Sequence, residues 1–594
     1  MSDPERSAPE RRALIVGAGV SGLSCALRLT ETGWDVRILS RERSPGTTSD
    51  VAAAVWYPYR VGLTADVLRW GRETFDHFLS LALEAPEAGV TMVEGIEPLR
   101  EAPTGPPDWA HGLPGFRAAA ADELPAWATA GWRMQVPVIE MPTYLAWLED
   151  RLADRGVAID CGHIEDLDAA LADAPLVVNT TGLGAAALTG DRDLHPVRGQ
   201  IVRVAPGLAD RFVQDGESGP ADGSRPTYII PRRDCTVLGG TADVGATDLT
   251  PDPAISADIH ARCAALVPAL VNATTLSVAV GLRPARSTVR LEAEPRDQGA
   301  IVHNYGHGGA GVTLSWGCAG EVLALAERHL AERAALASAD NRALVRERFG
   351  ANAASYGTST VHAKGWSLQR LVELTRPQAT WRVLDVATGG GHTALAFAPH
   401  VARVEATDIT PEMLEVGRSL AVDRGLDNVT FAPADAMNLP YEDLSFDLVT
   451  CRIAPHHFPD VGAFVAESAR VLVPGGLLAV VDNIVPEDRR AADFVNDFER
   501  RRDPGHAACL SSTTWASHFA AAGLELLEAE AVAKTIHFDP WVDRQDLDDA
   551  TRRALGAMLE EAPPSAADFL RPRRERGDRV FDLREGIFVA RKAG

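Results

Sequence analysis

No apolar run in this sequence approaches the roughly 18 residues that a membrane-spanning helix needs, so nothing in it is expected to cross a bilayer. The seven cysteines stand singly, at Cys25, Cys161, Cys235, Cys263, Cys318, Cys451 and Cys509. Without a C-x-x-C pair, zinc and dithiol chemistry lose their usual pattern, and buried, inert thiols are expected. Basic patches are lacking too. With 58 Lys and Arg against 82 Asp and Glu, the net charge is −24, which repels phosphate backbones; small molecules rather than nucleic acid are the expected partners. No segment repeats with a period of ~20–50 residues, so solenoids and propellers are excluded. Residues 1–12 lack the charged-then-apolar layout of a secretory leader, and a cytoplasmic location is expected.

What is present fills at least two separately cored units, since 594 residues far exceed one ordinary domain. Residues 13–16 form a short apolar strand that ends in Gly17-Ala-Gly19-Val20-Ser21-Gly22, and residues 23–32 follow with helical spacing. Gly17 and Gly19 let the main chain turn sharply against a pyrophosphate, Gly22 lets helix pack on strand, and the helix start supplies partial positive charge. Residues 34–39 give the second strand at the spacing of a βαβ unit. An acidic residue for ribose hydroxyls should follow, but the chain reads Ser40-Arg41-Glu42. Three readings stay open: Glu42 takes the role one step late, Ser40 and Arg41 take it with weaker bonds, or all three are solvated turn residues.

Further segments keep a recognisable order. Thr47-Thr48-Ser49-Asp-Val-Ala-Ala-Ala-Val-Trp-Tyr57-Pro-Tyr59 comes first, followed by Arg198-Gly-Gln-Ile201, Tyr228-Ile-Ile-Pro231 and Leu238-Gly-Gly-Thr241. Gly281-Leu-Arg283-Pro-Ala-Arg286, Val289-Arg-Leu-Glu292 and His303-Asn-Tyr-Gly-His307-Gly308-Gly309-Ala-Gly311-Val312-Thr313 complete the set. Together they resemble the D-amino-acid oxidase family across roughly residues 11–330. That resemblance implies a Rossmann-type FAD-binding sheet with a mixed β substrate domain, and segments around residues 50–60, 85–100, 195–205 and 225–240 are expected to build the substrate sheet. It also implies flavin contacts at Gly17, Gly19, Val20, Ser21, Gly22, Arg41, Thr47, Thr48, Ser49, Gly308, Gly311, Val312 and Thr313.

A planar guanidinium can hold an amino acid's carboxylate through two parallel charge-assisted bonds, which makes Arg283 the clamp candidate. The resemblance adds the Tyr228 phenol to the same carboxylate and the Gly309 carbonyl to the substrate amine. His307 is read as a hydrogen-bonded prop rather than a base. If the α-hydrogen leaves as hydride to the flavin, as the family mechanism implies, no protein base is required. Oxygen would then return as hydrogen peroxide, and the imino acid would hydrolyse to an α-keto acid. The lid tyrosine of eukaryotic relatives is missing from Gly223-Ser-Arg225-Pro-Thr227, which leaves Tyr57 and Arg225 as candidates for pocket polarity.

Residues 331–340 are rich in Ala and charge, and residues 349–359 turn small and polar. A linker is therefore placed at 336–344, between an oxidase-like domain at 1–335 and a second domain at 345–594. There Asp385-Val-Ala-Thr-Gly389-Gly-Gly391 closes a strand, Asp408 closes the next, and Ala434-Asp435-Ala436 follows. A sulfonium with an amino-acid tail has no phosphate and favours carboxylates; the pattern resembles class I S-adenosylmethionine-dependent methyltransferases over about 345–592, with a doubly wound sheet. Asp385, Gly389, Gly391, Asp408 and Asp435 are the implied cofactor contacts. His456 or His457 could deprotonate a nucleophile, or the two could be a structural pair. Arg452 and Asn483 are weaker candidates for an acceptor carboxylate. For the whole chain, one reading passes the oxidised product to the methyltransferase, a second has both halves act at separate positions of one natural product, and a third makes the flavin half a scaffold. Oligomerisation is left open.

Overall fold

The computed structural model describes residues 11–58, 61–215, 226–357, 365–545 and 547–594, and they fall into two compact units divided between Glu332 and Arg333. Among the described residues no helix is long and apolar enough to cross a membrane.

In the first unit Arg12–Val16 is an apolar strand with Ile15 fully buried, running parallel to Asp35–Ser40 on one side and Leu176–Asn179 on the other. The helix Val20–Thr30 covers it, burying Leu23 and Ala26. Gly299–His307 continues the parallel half beside Leu176–Asn179. From there Thr275–Arg296 pairs antiparallel with both Gly299–His307 and His195–Val204. Beyond it lie Thr236–Gly239, Tyr228–Pro231, Phe212–Gln214, Val90–Leu99 and Ala130–Ile139, so nucleotide half and mixed substrate half form one 14-stranded sheet.

Residues 50–60 were expected as a strand of that sheet, and the structure corrects this. Thr48–Val51 is a short helix, because Asp50 accepts from the Thr47 N–H at 2.8 Å and from its hydroxyl at 2.7 Å. Among the described residues of this stretch, only Val55 bridges, to Val138. A second difference concerns 336–344. The helix that starts at Gly311 runs unbroken to Gly357, because a stretch rich in Ala, Leu, Glu and Arg without proline favours helix over open linker.

The second unit is a doubly wound sheet of eight strands. Val429–Pro433, Arg403–Asp408, Arg382–Val386, Phe446–Arg452 and Leu472–Ile484 are parallel in that order, Asp578–Lys592 and Leu524–His537 are added antiparallel, and the short Arg573–Glu575 pairs with Asp578–Lys592. Chain order reverses between Arg382–Val386 and Phe446–Arg452, and the carboxyl ends at such a switch open a crevice for a ligand.

The helix after Gly311 packs on Ala65–Glu84 through Gly317, where an added Cβ would lie 2.3 Å from both Cα and carbonyl oxygen of Trp70. Main chain cannot step aside as a side chain can. Gly317→Ala should therefore cost about 1–3 kcal/mol by overpacking, despite alanine's better helix propensity, and lower the melting midpoint; an unchanged or raised midpoint would refute this packing.

Candidate functional site

In the first unit a cavity of about 800 Å³ runs from the Gly17 turn to the helix start at Gly311. The turn is tight because side chains are missing from it: a Cβ on Gly22 would fall 1.9 Å from the Gly17 carbonyl oxygen, and one on Gly17 2.7 Å from that of Thr180. Gly17, Gly19, Val20 and Ser21 line the cavity, whereas Gly22 lies behind the turn as the helix-packing glycine. Ser49 donates no charge but fixes the turn, its hydroxyl accepting from the Val20 N–H at 3.0 Å. Thr47, Thr48 and Ser49 all face the cavity.

Ser40, Arg41 and Glu42 also line it. The Ser40 hydroxyl is already engaged, accepting from Ala18 N–H at 3.1 Å and donating to the Glu42 carbonyl at 2.6 Å. The Glu42 carboxylate is exposed, 3.7 Å from Arg41. Arg41 and Glu42 thus both keep exposed side chains on the cavity wall.

At the far end Gly308, Gly309, Gly311, Val312 and Thr313 line the cavity. Positive φ at Gly306 and Gly308 bends the chain so that the helix start points inward. The Thr313 hydroxyl is tied to Tyr57, donating to its carbonyl at 2.9 Å and accepting from its N–H at 3.2 Å. His307 bonds Asn304 Oδ1 through Nε2 at 2.9 Å, and burial pushes it down to about 4. It is a neutral prop, as expected.

Arg283 and Tyr228 reach the same cavity. Both occupy room surrendered by glycines on neighbouring strands. A Cβ on Gly199 would sit 2.2 Å from Arg283 Nη1, and one on Gly239, the cross-strand partner of Tyr228, 2.0 Å from its ring. Arg283 Nη1 also donates to the Thr241 carbonyl at 3.0 Å, which orients the guanidinium plane. The other arginine of that motif, Arg286, is held by Asp191 at 2.9 Å and is no clamp. Tyr57 lines the cavity, whereas Arg225 falls outside the described residues.

Sequence reasoning passed over Glu97. It is 6% exposed on the strand Val90–Leu99 and accepts from the Tyr57 hydroxyl at 2.7 Å, while its second oxygen is buried without a hydrogen bond. Burial raises it from 4.5 to about 7, against the pull of the Tyr57 bond. Its only sequence signal was an acid between Ile96 and Pro98, and Glu94 in the same strand offers a similar one.

In the second unit Asp385 is 1% exposed and sits beneath the glycine turn rather than along the cavity. Its oxygens accept from Thr388 Oγ1 at 2.5 Å, Thr450 Oγ1 at 2.7 Å and the Ala394 N–H at 3.1 Å, and burial raises it to about 6. Asp408 does line the cavity, accepting from Gly389 N–H at 2.8 Å and Thr410 N–H at 2.9 Å. Gly389 has φ +54° with open space where a Cβ would point, a cradle that suits a ligand; Gly391 instead packs near Phe431. Asp435 and Arg342 both line the cavity, which measures about 140 Å³, and meet at 3.3 Å. Among the histidines, His457 lines the cavity and His456 does not, its Nδ1 lying 2.5 Å from Asp482 Oδ1. Arg452 lines it, donating to Thr393 Oγ1 at 3.1 Å, and Asn483 does not. Sequence reading missed Asp482, which follows the apolar run of residues 477–481 within its strand, and Phe349 and Arg342, which arrive from the preceding helix.

Glu97 yields a stability test. The folded state holds its proton longer than the unfolded chain does, so the stability it lends is complete below pH 4.5 and is lost as pH rises to about 7. Glu97→Gln cannot ionise, and its melting midpoint should gain on wild type across that window and then keep a constant lead; parallel curves would contradict the burial.

The family model for FAD dependent oxidoreductase matches residues 12–325, and the model for Methyltransferase domain matches residues 384–480. A D-amino-acid oxidase of Rubrobacter xylanophilus is 49% identical over 317 residues, covering 53% of this chain and 95% of that protein. A D-aspartate oxidase of Homo sapiens is 38% identical over 327 residues, covering 53% and 94%. The solved YcgJ protein of Bacillus subtilis is 35% identical over 38% of this chain and 98% of its own, with TM-score 0.37. With its first half matched almost end to end and a methyltransferase domain after it, the chain belongs to the FAD dependent oxidoreductase family and is a fusion of an oxidase domain with a class I methyltransferase domain.

Proposed function

We propose that residues 1–335 oxidise a D-amino acid at bound FAD, releasing hydrogen peroxide from oxygen and an α-keto acid, and that residues 345–594 methylate a small molecule with S-adenosylmethionine. The observation that carries the oxidase reading is the joint arrival of Arg283 and Tyr228 at a cavity whose other end is a glycine turn. The flavin supplies the electron-accepting chemistry when bound. Arg283 holds the substrate carboxylate through parallel N–H bonds, and the Tyr228 phenol donates a further one. The Gly309 carbonyl accepts from the amine. Helix-start N–H groups after Gly311 favour negative charge at the flavin edge they face. Tyr57, pinned by Thr313 and Glu97, closes the side-chain end. In the second domain the sulfonium cofactor supplies the methyl group, Asp408 takes the ribose hydroxyls, and Asp435 takes the adenine edge.

Screening D-amino acids for peroxide release tests the first activity on a protein that should be yellow as purified. Arg283→Met keeps length but not charge, and should lose about 2–5 kcal/mol of transition-state stabilisation, at least ~30-fold in kcat/KM, with flavin retained. A colourless protein that releases no peroxide would support the scaffold reading instead, whereas peroxide release indifferent to Arg283 would remove that residue as the carboxylate clamp. Asp408→Ala should abolish measurable S-adenosylmethionine binding in calorimetry; unchanged affinity would remove the methyltransferase assignment of that carboxylate.

A further inference from the structure

The sheet face that carries Arg283 and Tyr228 continues past them. Gln214 is the cross-strand partner of Tyr228, and Phe212–Gln214 in turn runs parallel to Val90–Leu99 with Ile96 against Val213, so the next residue along, Glu97, stands beside Gln214. Paired residues point to the same side of a sheet, and a row of Glu97, Gln214, Tyr228 and Gly239 therefore crosses four strands. Its Gly239 end adjoins the carboxylate clamp. With the substrate's carboxylate there and its amine at Gly309, the side chain is left to run toward the other end. Val55, Ile201 and Ile230 give the same cavity apolar wall for a methylene stem, whereas Tyr57 and Gln214 are polar.

Tyr57 is held there in three ways. Its carbonyl accepts from Thr313, its ring lies edge-on to Trp109 at 5.0 Å, and its hydroxyl donates to Glu97 Oε1 at 2.7 Å. A phenol has one hydrogen, and with that hydrogen committed to Glu97 the Tyr57 oxygen can only accept from any further partner. Glu97 lies behind the wall with its Oε2 buried and without a hydrogen bond. A carboxyl group so deeply placed is ordinarily matched by a cation or by several N–H donors. Asp215 instead adds a second acid nearby, and Arg100 is drawn to Asp215 at 3.8 Å while lying over the Trp127 ring at 4.5 Å. This end of the cavity is thus rich in acceptors and in negative charge, the reverse of the Arg283 end.

We propose that the Tyr57–Glu97 pair selects D-amino acids whose side chain ends in a hydrogen-bond donor, an ammonium or a carboxamide, and turns away those ending in a carboxylate. The proposal rests on the oxidase reading above. The donor meets the Tyr57 oxygen, and the Gln214 amide oxygen can accept from the same group. Glu97 is a positioning residue: it fixes which way the phenol hydrogen points and places negative charge behind the accepting oxygen. A carboxylate tip would find lone pairs where it needs a hydrogen, beside two acids already present, and like charges so placed repel. The apolar wall accepts the stem of either kind of side chain, so selection falls on the tip.

Two pairs of D-amino acids matched in shape decide it, on the FAD-loaded full chain at about pH 8.5, above the value of about 7 to which burial raises Glu97. Peroxide release should give D-glutamine a kcat/KM about tenfold or more above that of D-glutamate, and D-ornithine one above that of D-norleucine. Glu97→Gln keeps the shape and removes the charge, and both ratios should fall by about fivefold or more, through KM rather than kcat. Tyr57→Phe, which removes the accepting oxygen, should lower them likewise, with the bound-flavin spectrum showing that each variant is folded. D-glutamate outrunning D-glutamine in wild type, ratios unchanged in the two variants, or oxidation of D-alanine without oxidation of D-glutamine and D-ornithine would each overturn the proposal. A flavin that no D-amino acid of a full panel bleaches in the absence of oxygen would instead sink the oxidase reading itself, an outcome distinct from unchanged ratios in an active enzyme.

Discussion

A guanidinium and a phenol occupy the volume that two side chains would have filled. Gly199 and Gly239 lie on strands beside those carrying Arg283 and Tyr228, and a single Cβ at either position would overlap the guanidinium or the ring. A sheet ordinarily fills each face with alternating side chains, so omission at two positions clears a polar notch in an otherwise apolar wall built of residues such as Ile201 and Ile230. The notch matters because a cation near an apolar wall is stable only with partners. Thr241 supplies one through its carbonyl, and an amino acid's carboxylate would supply the strong one.

On the proposed reading, the rest of the first unit would bring a flavin to that notch. The glycine turn, the Ser49 hydroxyl that fixes it and the helix start at Gly311 are held in one continuous sheet by the long strand Thr275–Arg296, which is paired to both halves. The second unit answers the same need differently. Its glycine turn is held by buried carboxylates: Asp385 from below, through hydroxyls and the Ala394 N–H, and Asp408 from the neighbouring strand. Asp385 shapes the pocket from beneath, and Asp408 also lines it.

Local spacing made much of this legible. Both glycine turns with their flanking strands, the Arg283 motif, the Tyr228 strand and the glycine run before Val312 are contiguous signals, and each contributes residues to the lining of a cavity. Residues whose role depends on a distant partner were not legible. Glu97 gains meaning only from Tyr57, forty residues earlier, and Asp482 only from His456. Gly199 looks like any strand glycine until Arg283 is placed over it. Asp385 was read as a ligand contact, yet its three hydrogen bonds place it under the turn. Residues 50–60 looked like a strand because their apolar content outweighed the Thr47–Asp50 cap.

The central claim is that a carboxylate is gripped in room left by a missing side chain. It is tested most directly by titrating wild type and Gly199→Ala with a plain aromatic carboxylate while following the flavin absorbance spectrum. The account predicts that both proteins are yellow, that wild type shows a saturable spectral shift, and that Gly199→Ala shows none at the same concentrations because its methyl group displaces Arg283. An identical shift and affinity in the two proteins would contradict it.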